Sequence, residues 1–235
     1  MKLKISQFKF IFPLSLFFIF NFLFLAPVNA QTASAPRFMV SWQANSLAPS
    51  WYRGKIFPTT GSRVTVKFEL VDNGKIIDLS KTAIRWYVNN DLKLNETNGL
   101  GIKSYSYITG DYVGNDINIR ISIPNYNGST LDNVITIPIV SPEVVINAPF
   151  SDKTVPPGKV SLEAIPFFFN AGNINNLLFA WNSNGQAAGS TSNPLLNLNI
   201  DPATLQGTAI SLSVVVKNIS NELEAAAKNL QLTTQ

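Results

Sequence analysis

The chain has 235 residues, 46% of them hydrophobic and 14% charged, which is apolar enough for one or two packed cores and too weakly charged for a disordered chain. It contains no cysteine and no histidine, which removes thiolate nucleophiles, imidazole bases and nearly all zinc or copper sites. The 18 basic residues against 14 acidic ones are no sign of nucleic-acid binding, because the first 30 residues hold three of the bases and no acid, leaving 15 against 14 with no clustered basic face.

Those first residues read as a targeting segment. Lys2, Lys4 and Lys9 form a basic start. An apolar run follows from Phe10 to Leu25, broken only by Pro13, Ser15 and Asn21, and Val28-Asn29-Ala30 supplies small residues for cleavage. This layout predicts a helical signal peptide over residues 1–30, cut after Ala30, and hence an extracytoplasmic protein that is periplasmic, cell-surface or secreted. The competing reading is an uncleaved anchor. The run is near the lower length limit for a span, and Pro13 and Asn21 weaken it, so membrane contact is expected only through this segment if it is retained.

Beyond it the dominant signal has period two. Phe38, Val40 and Trp42 begin the pattern. Arg63 to Leu70 then alternates polar and apolar without a fault, as a strand does when one face is buried and the other wet. Ile117, Ile119, Ile121 and Ile123 are expected inward, with Asn118, Arg120 and Ser122 outward. Ile135, Ile137 and Ile139 share one face. Asp72-Asn73-Gly74, Asn89-Asn90-Asp91 and Asn98-Gly99 are tight-turn signals, and Pro124 with Asn127-Gly128 is expected to close the Ile117 strand. Glu222 to Lys228 has helical propensity, but Leu230-Gln231-Leu232 suits a final edge strand. Short strands at this spacing predict a sandwich or barrel.

The second half repeats the first. Thr60-Gly61 precedes the strand at Val64, and Pro157-Gly158 precedes the one at Val160. Val64 and Trp86 are 22 positions apart, Val160 and Trp181 21. From Trp86 to Ile119 is 33 positions, from Trp181 to Leu212 31, where alternation returns as Ile210, Leu212, Val214 and Val216. Each Trp lies in a short apolar strand before an Asn-rich turn. Two copies of one unit explain this more simply than chance. The predicted architecture is all-β, with two tandem immunoglobulin-like β-sandwiches over 31–141 and 142–235. The boundary falls at Val140-Ser141-Pro142-Glu143, where proline cannot donate to a ladder. Trp86 and Trp181 are the expected core markers.

At these residues the chain resembles the bacterial immunoglobulin-like and PKD-like domains of exported surface proteins. A Trp on the third strand fills the gap between the sheets of such domains, and Trp86 and Trp181 stand in that place. Gly110-Asp111-Tyr112 is similar to the Gly-x-Tyr corner of PKD domains, though its spacing to the next strand is longer. The cysteine pair of antibody domains is absent. Ser41-Trp42-Gln43-Ala44-Asn45-Ser46 and Pro49-Ser50-Trp51-Tyr52-Arg53-Gly54-Lys55 are also similar to segments of exported proteins from small-genome, candidate-phylum bacteria. The resemblance implies roles as spacers, adhesins, carbohydrate-binding appendages or pilus-associated parts, among which fold alone does not choose.

Candidate site residues follow from chemistry. All six tyrosines lie before residue 141. Trp51 and Tyr52 fall in a loop between Pro49 and Gly54, where they either contact a ligand or partner or fold back as a lid on the core. Tyr105 and Tyr107 share a strand face and are the second pair of candidate contacts. Asp111, Asn115 and Asp116 form the oxygen-rich turn best suited to calcium, without matching the twelve-residue EF-hand loop, and ordinary turn chemistry also accounts for them. Lys103-Ser104 and Ser80-Lys81 offer no serine nucleophile that strand and turn placement does not explain equally well. Asn95-Glu96-Thr97, Asn127-Gly128-Ser129 and Asn218-Ile219-Ser220 fit the glycosylation pattern, which an Asn-rich chain produces by chance. Residues 36–141 hold 11 bases and 8 acids, and 142–235 hold 4 and 6, a split that could aid docking between the halves or between molecules.

The expectation is therefore a protein that is not an enzyme, with no cofactor and no catalytic residues. It is read as an exported interaction or adhesion module whose partner is a protein or glycan at the cell surface and not a nucleic acid. The alternative is a passive structural envelope or pilus-associated component. A remote third reading is a glycoside hydrolase using paired carboxylates.

Overall fold

The alternating segments become strands in the computed structural model, which describes residues 35–110 and 114–235. The predicted signal peptide and Asp111 lie outside the described residues. Eight strands build the first sandwich: β1 (Arg37–Ala44), β2 (Arg63–Asp72), β3 (Lys75–Ile76), β4 (Arg85–Val88), β5 (Asp91–Leu94), β6 (Ser104–Ile108), β7 (Ile117–Tyr126) and β8 (Ser129–Ile137). One sheet sets β2 between β1 and β6, with β3 joined to the end of β2. The other has the order β5-β4-β7-β8. Val64, Val66, Phe68 and Leu70 of β2 face Ile117, Ile119, Ile121 and Ile123 of β7, and all eight are essentially sealed from solvent. Trp86 on β4 is fully buried among them and donates its indole N–H to the Ile102 carbonyl at 2.8 Å.

Eight more strands build the second: β9 (Glu143–Asn147), β10 (Thr154–Val155), β11 (Gly158–Phe167), β12 (Leu177–Ser183), β13 (Gln186–Thr191), β14 (Leu195–Ile200), β15 (Ala209–Asn218) and β16 (Asn221–Thr234). The sheets are β14-β11-β9 and β10-β16-β15-β12-β13. Trp181 is buried in this core, and its indole nitrogen has no hydrogen-bond partner among the described residues. With the short β3 and β10 set aside, each sandwich places its first, second and fifth strands in one sheet and its third, fourth, sixth and seventh in the other. This is the immunoglobulin arrangement. Among the described residues no helix is long and apolar enough to cross a membrane.

The duplication extends to single residues. Asn89 and Asn184 each stand three positions after the core Trp, in a two-residue hairpin turn, at positive φ of 49° and 50°. The Asn89 side-chain oxygen accepts from the Asn118 N–H, and that of Asn184 from the Ser211 N–H, at 2.9 and 2.8 Å. Each turn residue returns its own N–H to the same strand residue's carbonyl, at 2.8 Å in both. Asn-Gly or Asn-Asn turns at Asn73, Asn89, Asn127 and Asn184 all adopt positive φ at both central positions, as the right-handed twist of hairpins requires.

Three expectations are corrected. Pro124 does not end the Ile117 strand. β7 continues to Tyr126 through a register shift at which Asn125 has φ 58°, and a bulge tolerates a residue with no N–H to donate. Ser122, expected outward, is buried. The Asn98-Gly99 turn signal is met by a 3-10 turn, Glu96–Asn98, capped by Asn95, with Gly99 at φ 130°. Glu222 to Lys228 is extended, because fourteen-residue β16 pairs with β15 along its length and tertiary pairing overrides local propensity. Leu230–Leu232 lie at the sheet edge as expected, and just beyond them β10 pairs in parallel with Thr233 and Thr234.

The two indoles are expected to respond differently to mutation. Trp86→Phe strands the Ile102 carbonyl, whereas Trp181→Phe removes a donor that has no partner. Equilibrium urea unfolding should therefore show the first to cost more by about 1 kcal/mol, with Trp86→Ala costing roughly 3–5 kcal/mol; equal costs for the two Phe variants would contradict these hydrogen-bond assignments.

Candidate interaction site

The β1–β2 connection is long for adjacent strands, and its course explains why. Asn45 exchanges hydrogen bonds with Arg63, its N–H to the Arg63 carbonyl at 3.1 Å and its side-chain oxygen from the Arg63 N–H at 2.6 Å. The chain then leaves its own sandwich. Leu47 N–H donates to the Phe169 carbonyl at 2.7 Å, and Phe168 N–H donates to the Leu47 carbonyl at 2.6 Å. This is an antiparallel bridge between the two halves, and Leu47 packs against the second core. A turn closed by Tyr52 N–H on the Pro49 carbonyl at 2.9 Å brings round Trp51 and Tyr52.

Six aromatic rings meet there. Tyr52 contacts Phe167 and Phe168 edge-on at centroid separations of 5.4 and 6.2 Å, Trp51 contacts Phe167 at 6.2 Å, and Phe57 joins Phe168 at 5.8 Å to Trp42 at 6.0 Å. Each such pair is worth about 0.5–1.5 kcal/mol beyond the area it buries. Lys55 closes the far end, with its ammonium 3.7 Å above the Trp42 ring and hydrogen-bonded to the Trp42 carbonyl; partial burial lowers its pKa. Phe168 sits at φ 62°, a left-handed conformation costly for a bulky residue, so surrounding contacts must impose it. A side chain at Gly54 would run into the Tyr52 ring.

Trp51 and Tyr52 therefore differ in role. Tyr52 is half-buried and fixes the seam. Trp51 is 60% exposed while its edge rests on Phe167. Neither is a lid on its own core; both rest on the other sandwich. Around Trp51 the outer face of the β14-β11-β9 sheet breaks the rule of polar residues outward. Phe167 and Ile165 lie half-buried on this outer face of β11, Val145 lies opposite Ile165, and Leu195 lies opposite Glu163. Val145 and Leu195 are both 44% exposed. Glu143, Glu163 and Asn147 border this apolar stripe in register.

Tyr105 and Tyr107 are elsewhere. They are half-buried on β6, stacked 6.3 Å apart with planes 5° from parallel, and Tyr105 rests on Trp86. They end a row of rings that starts at Phe38 and passes through Phe68 and Trp86. Beyond them an open groove of about 380 Å³ is lined by Asn89, Asp91 and Lys93. Tyr105 and Trp42 pair with Val66 from opposite sides, so β2 separates the two tyrosines from the seam. The four candidate aromatics do not form one surface.

Of the calcium candidates, Asn115 and Asp116 are exposed and line an open hollow with Asn89, Asn90 and Asn118. The side-chain oxygens of Asn89 and Asn118 already accept from Asn118 N–H and Thr136. Among the described residues no three His, Cys, Asp or Glu gather. Carboxyls with displaced titration move down. Arg85 forks onto Glu96 at 3.0 and 2.6 Å and holds it at about 2, while Asp78 and Asp152 are lowered by donors on Ser80 and Thr154. Lys103 is engaged with both Glu69 oxygens, and Asn218 of the third glycosylation pattern is buried.

Composition gave no weight to Leu47, Phe57 or the Phe167-Phe168-Phe169 run. That run was the available signal: three consecutive aromatics cannot alternate, so one must leave its strand's face.

No protein-family model matches the chain, and no curated protein matches it. Among solved structures it is similar to the fibronectin(III)-like modules of Clostridium thermocellum CbhA, at 13% identity over 83% of this chain and 93% of that one, TM-score 0.31. It is similar to the three N-terminal domains of the highly immunogenic outer capsid protein of bacteriophage RB49, at 12% over 84% and 59%, TM-score 0.43. It is also similar to the Ig1-2 module of Drosophila receptor protein tyrosine phosphatase DLAR, at 12% over 85% and 98%, TM-score 0.27. The class itself rests on the strand order: two immunoglobulin-like β-sandwiches in tandem.

The two loop aromatics should separate in a stability assay. Tyr52→Ala is expected to lose roughly 2–4 kcal/mol by emptying the seam, and Trp51→Ala, which removes one exposed-edge ring contact, about 0.5–1.5 kcal/mol. Thermal unfolding of both variants checks this, and the reverse order would contradict the assigned roles.

Proposed function

We propose that the chain is an exported, non-catalytic interaction module, with units over 31–141 and 142–235 behind a cleaved signal over 1–30, and that it docks a partner protein outside the cytoplasm through the surface around Trp51 and Phe167. One observation carries this reading: an indole left 60% exposed yet held against Phe167, beside outward-facing Ile165, Val145 and Leu195. Contiguous apolar surface with a polar border marks a docking site more often than chance exposure does. Trp is the residue type most enriched where alanine substitution costs most binding energy. An indole already ordered in the free protein loses little entropy on binding. Aliphatic neighbours favour a protein over a glycan.

A second reading has its own support. The Leu47–Phe169 bridge joins the halves without a flexible linker, as a passive spacer in an envelope or pilus-associated structure would need. The two are separated by binding of labelled protein, residues 31–235, to isolated envelopes of the source organism. The docking reading expects Trp51→Ala and Ile165→Lys each to weaken binding at least about tenfold, the loss of one central contact, with Tyr107→Phe unchanged. Undiminished binding by both variants would leave the spacer reading.

A further inference from the structure

We infer that Glu224 is the positioning residue for the Trp51 surface, acting through the Phe167–Asn170 turn of the second sandwich; this rests on the docking reading above. Glu224 lies near the start of β16, between exposed Leu223 and Ala225, yet it is 7% exposed itself. No cation pairs with it in the ion pairs of the described residues. Its two oxygens are instead taken by the turn and the neighbouring strand: Oε1 accepts from the Asn170 N–H at 2.6 Å, and Oε2 accepts from the Asn218 side-chain amide at 2.5 Å. The same Asn218 amide donates to the Asn170 carbonyl at 2.9 Å. Both backbone groups of Asn170 are therefore gripped by one buried polar pair.

What this grip controls lies immediately upstream. Phe169 is fully buried and carries the bridge to Leu47. Phe168 holds the strained left-handed φ, and Phe167 supports Trp51. The Asn170 side chain also lies against the first sandwich, so close to Gly61 that a Cβ there would come within 2.7 Å of Nδ2. A bulky residue keeps a left-handed φ only when its surroundings over-determine it. A buried carboxylate fixed at both oxygens does so with stronger hydrogen bonds than neutral groups make.

The pair is directional. The Asn218 oxygen accepts from the Ser220 N–H at 2.9 Å, so its amide cannot turn over without losing that bond. Glu224→Gln would set one NH₂ group against another, or present NH₂ to the Asn170 N–H. The exchanged double variant, Asn218→Asp with Glu224→Gln, restores a donor–acceptor contact between the two side chains.

Hydrogen exchange read by NMR on residues 31–235 tests this. In the parent protein the amides of Leu47, Phe168 and Asn170 should exchange as one slow group. In Glu224→Gln all three should lose at least about tenfold protection, with the β2 and β7 amides of the first core unchanged and envelope binding reduced. The double variant should recover part of the protection. Parent exchange in which Asn170 opens far faster than Leu47 would overturn the inference without any variant. Uniform loss over both cores in Glu224→Gln would also overturn it, reducing Glu224 to a general stabiliser. Selective loosening with Trp51→Ala binding undiminished would uphold the positioning role while defeating the docking reading.

Discussion

The structure turns on the place where two hydrogen bonds cross between sandwiches, Leu47 to Phe169 and Phe168 to Leu47. Each sandwich closes its core around an indole of its own, and the second core also takes in Leu47 from the first. What the bridge adds is a fixed relation between them. It pins the β1–β2 connection onto the second unit, and this places Tyr52 against Phe167 and Phe168 and leaves Trp51 facing solvent. Without it, an eighteen-residue connection over 45–62 would have no reason to order its aromatics.

Charge does little of this work. The excess of bases in the first half and acids in the second invited an electrostatic contact, but the ion pairs of the described residues all lie within the first sandwich. They are substantially exposed and contribute at most about 1 kcal/mol each. Rings and backbone make the seam, so salt should barely affect it. The chain has no cysteine, so no covalent staple supports the junction.

The fold was legible because period-two burial is a local property. Arg63 to Leu70 and Ile117 to Ile123 could be read residue by residue, and the matched spacings around Trp86 and Trp181 revealed the repeat. Errors arose where a long-range partner overruled a local preference. Glu222 to Lys228 is extended because β15 pairs with it, and Pro124 survives inside β7 because a bulge spares it a donor. The site was half legible. Trp51 and Tyr52 stood out as loop aromatics, but nothing nearby in sequence points to their contacts, more than a hundred positions away. The roles of Asn170, Asn218 and Glu224 were hidden for the same reason: Asn218 read as part of a glycosylation pattern and Glu224 as part of a helix former, and only the fold brings them together.

If this seam governs the molecule, the two sandwiches behave as one body in solution, and that is the property most directly open to measurement. Backbone ¹⁵N relaxation on residues 31–235 reports a rotational correlation time for each sandwich separately. The account predicts that the β2 and β7 amides and the β11 and β15 amides fit a single anisotropic tumbling tensor. Two distinct, shorter correlation times, one per sandwich, would show that the halves move independently and would contradict it.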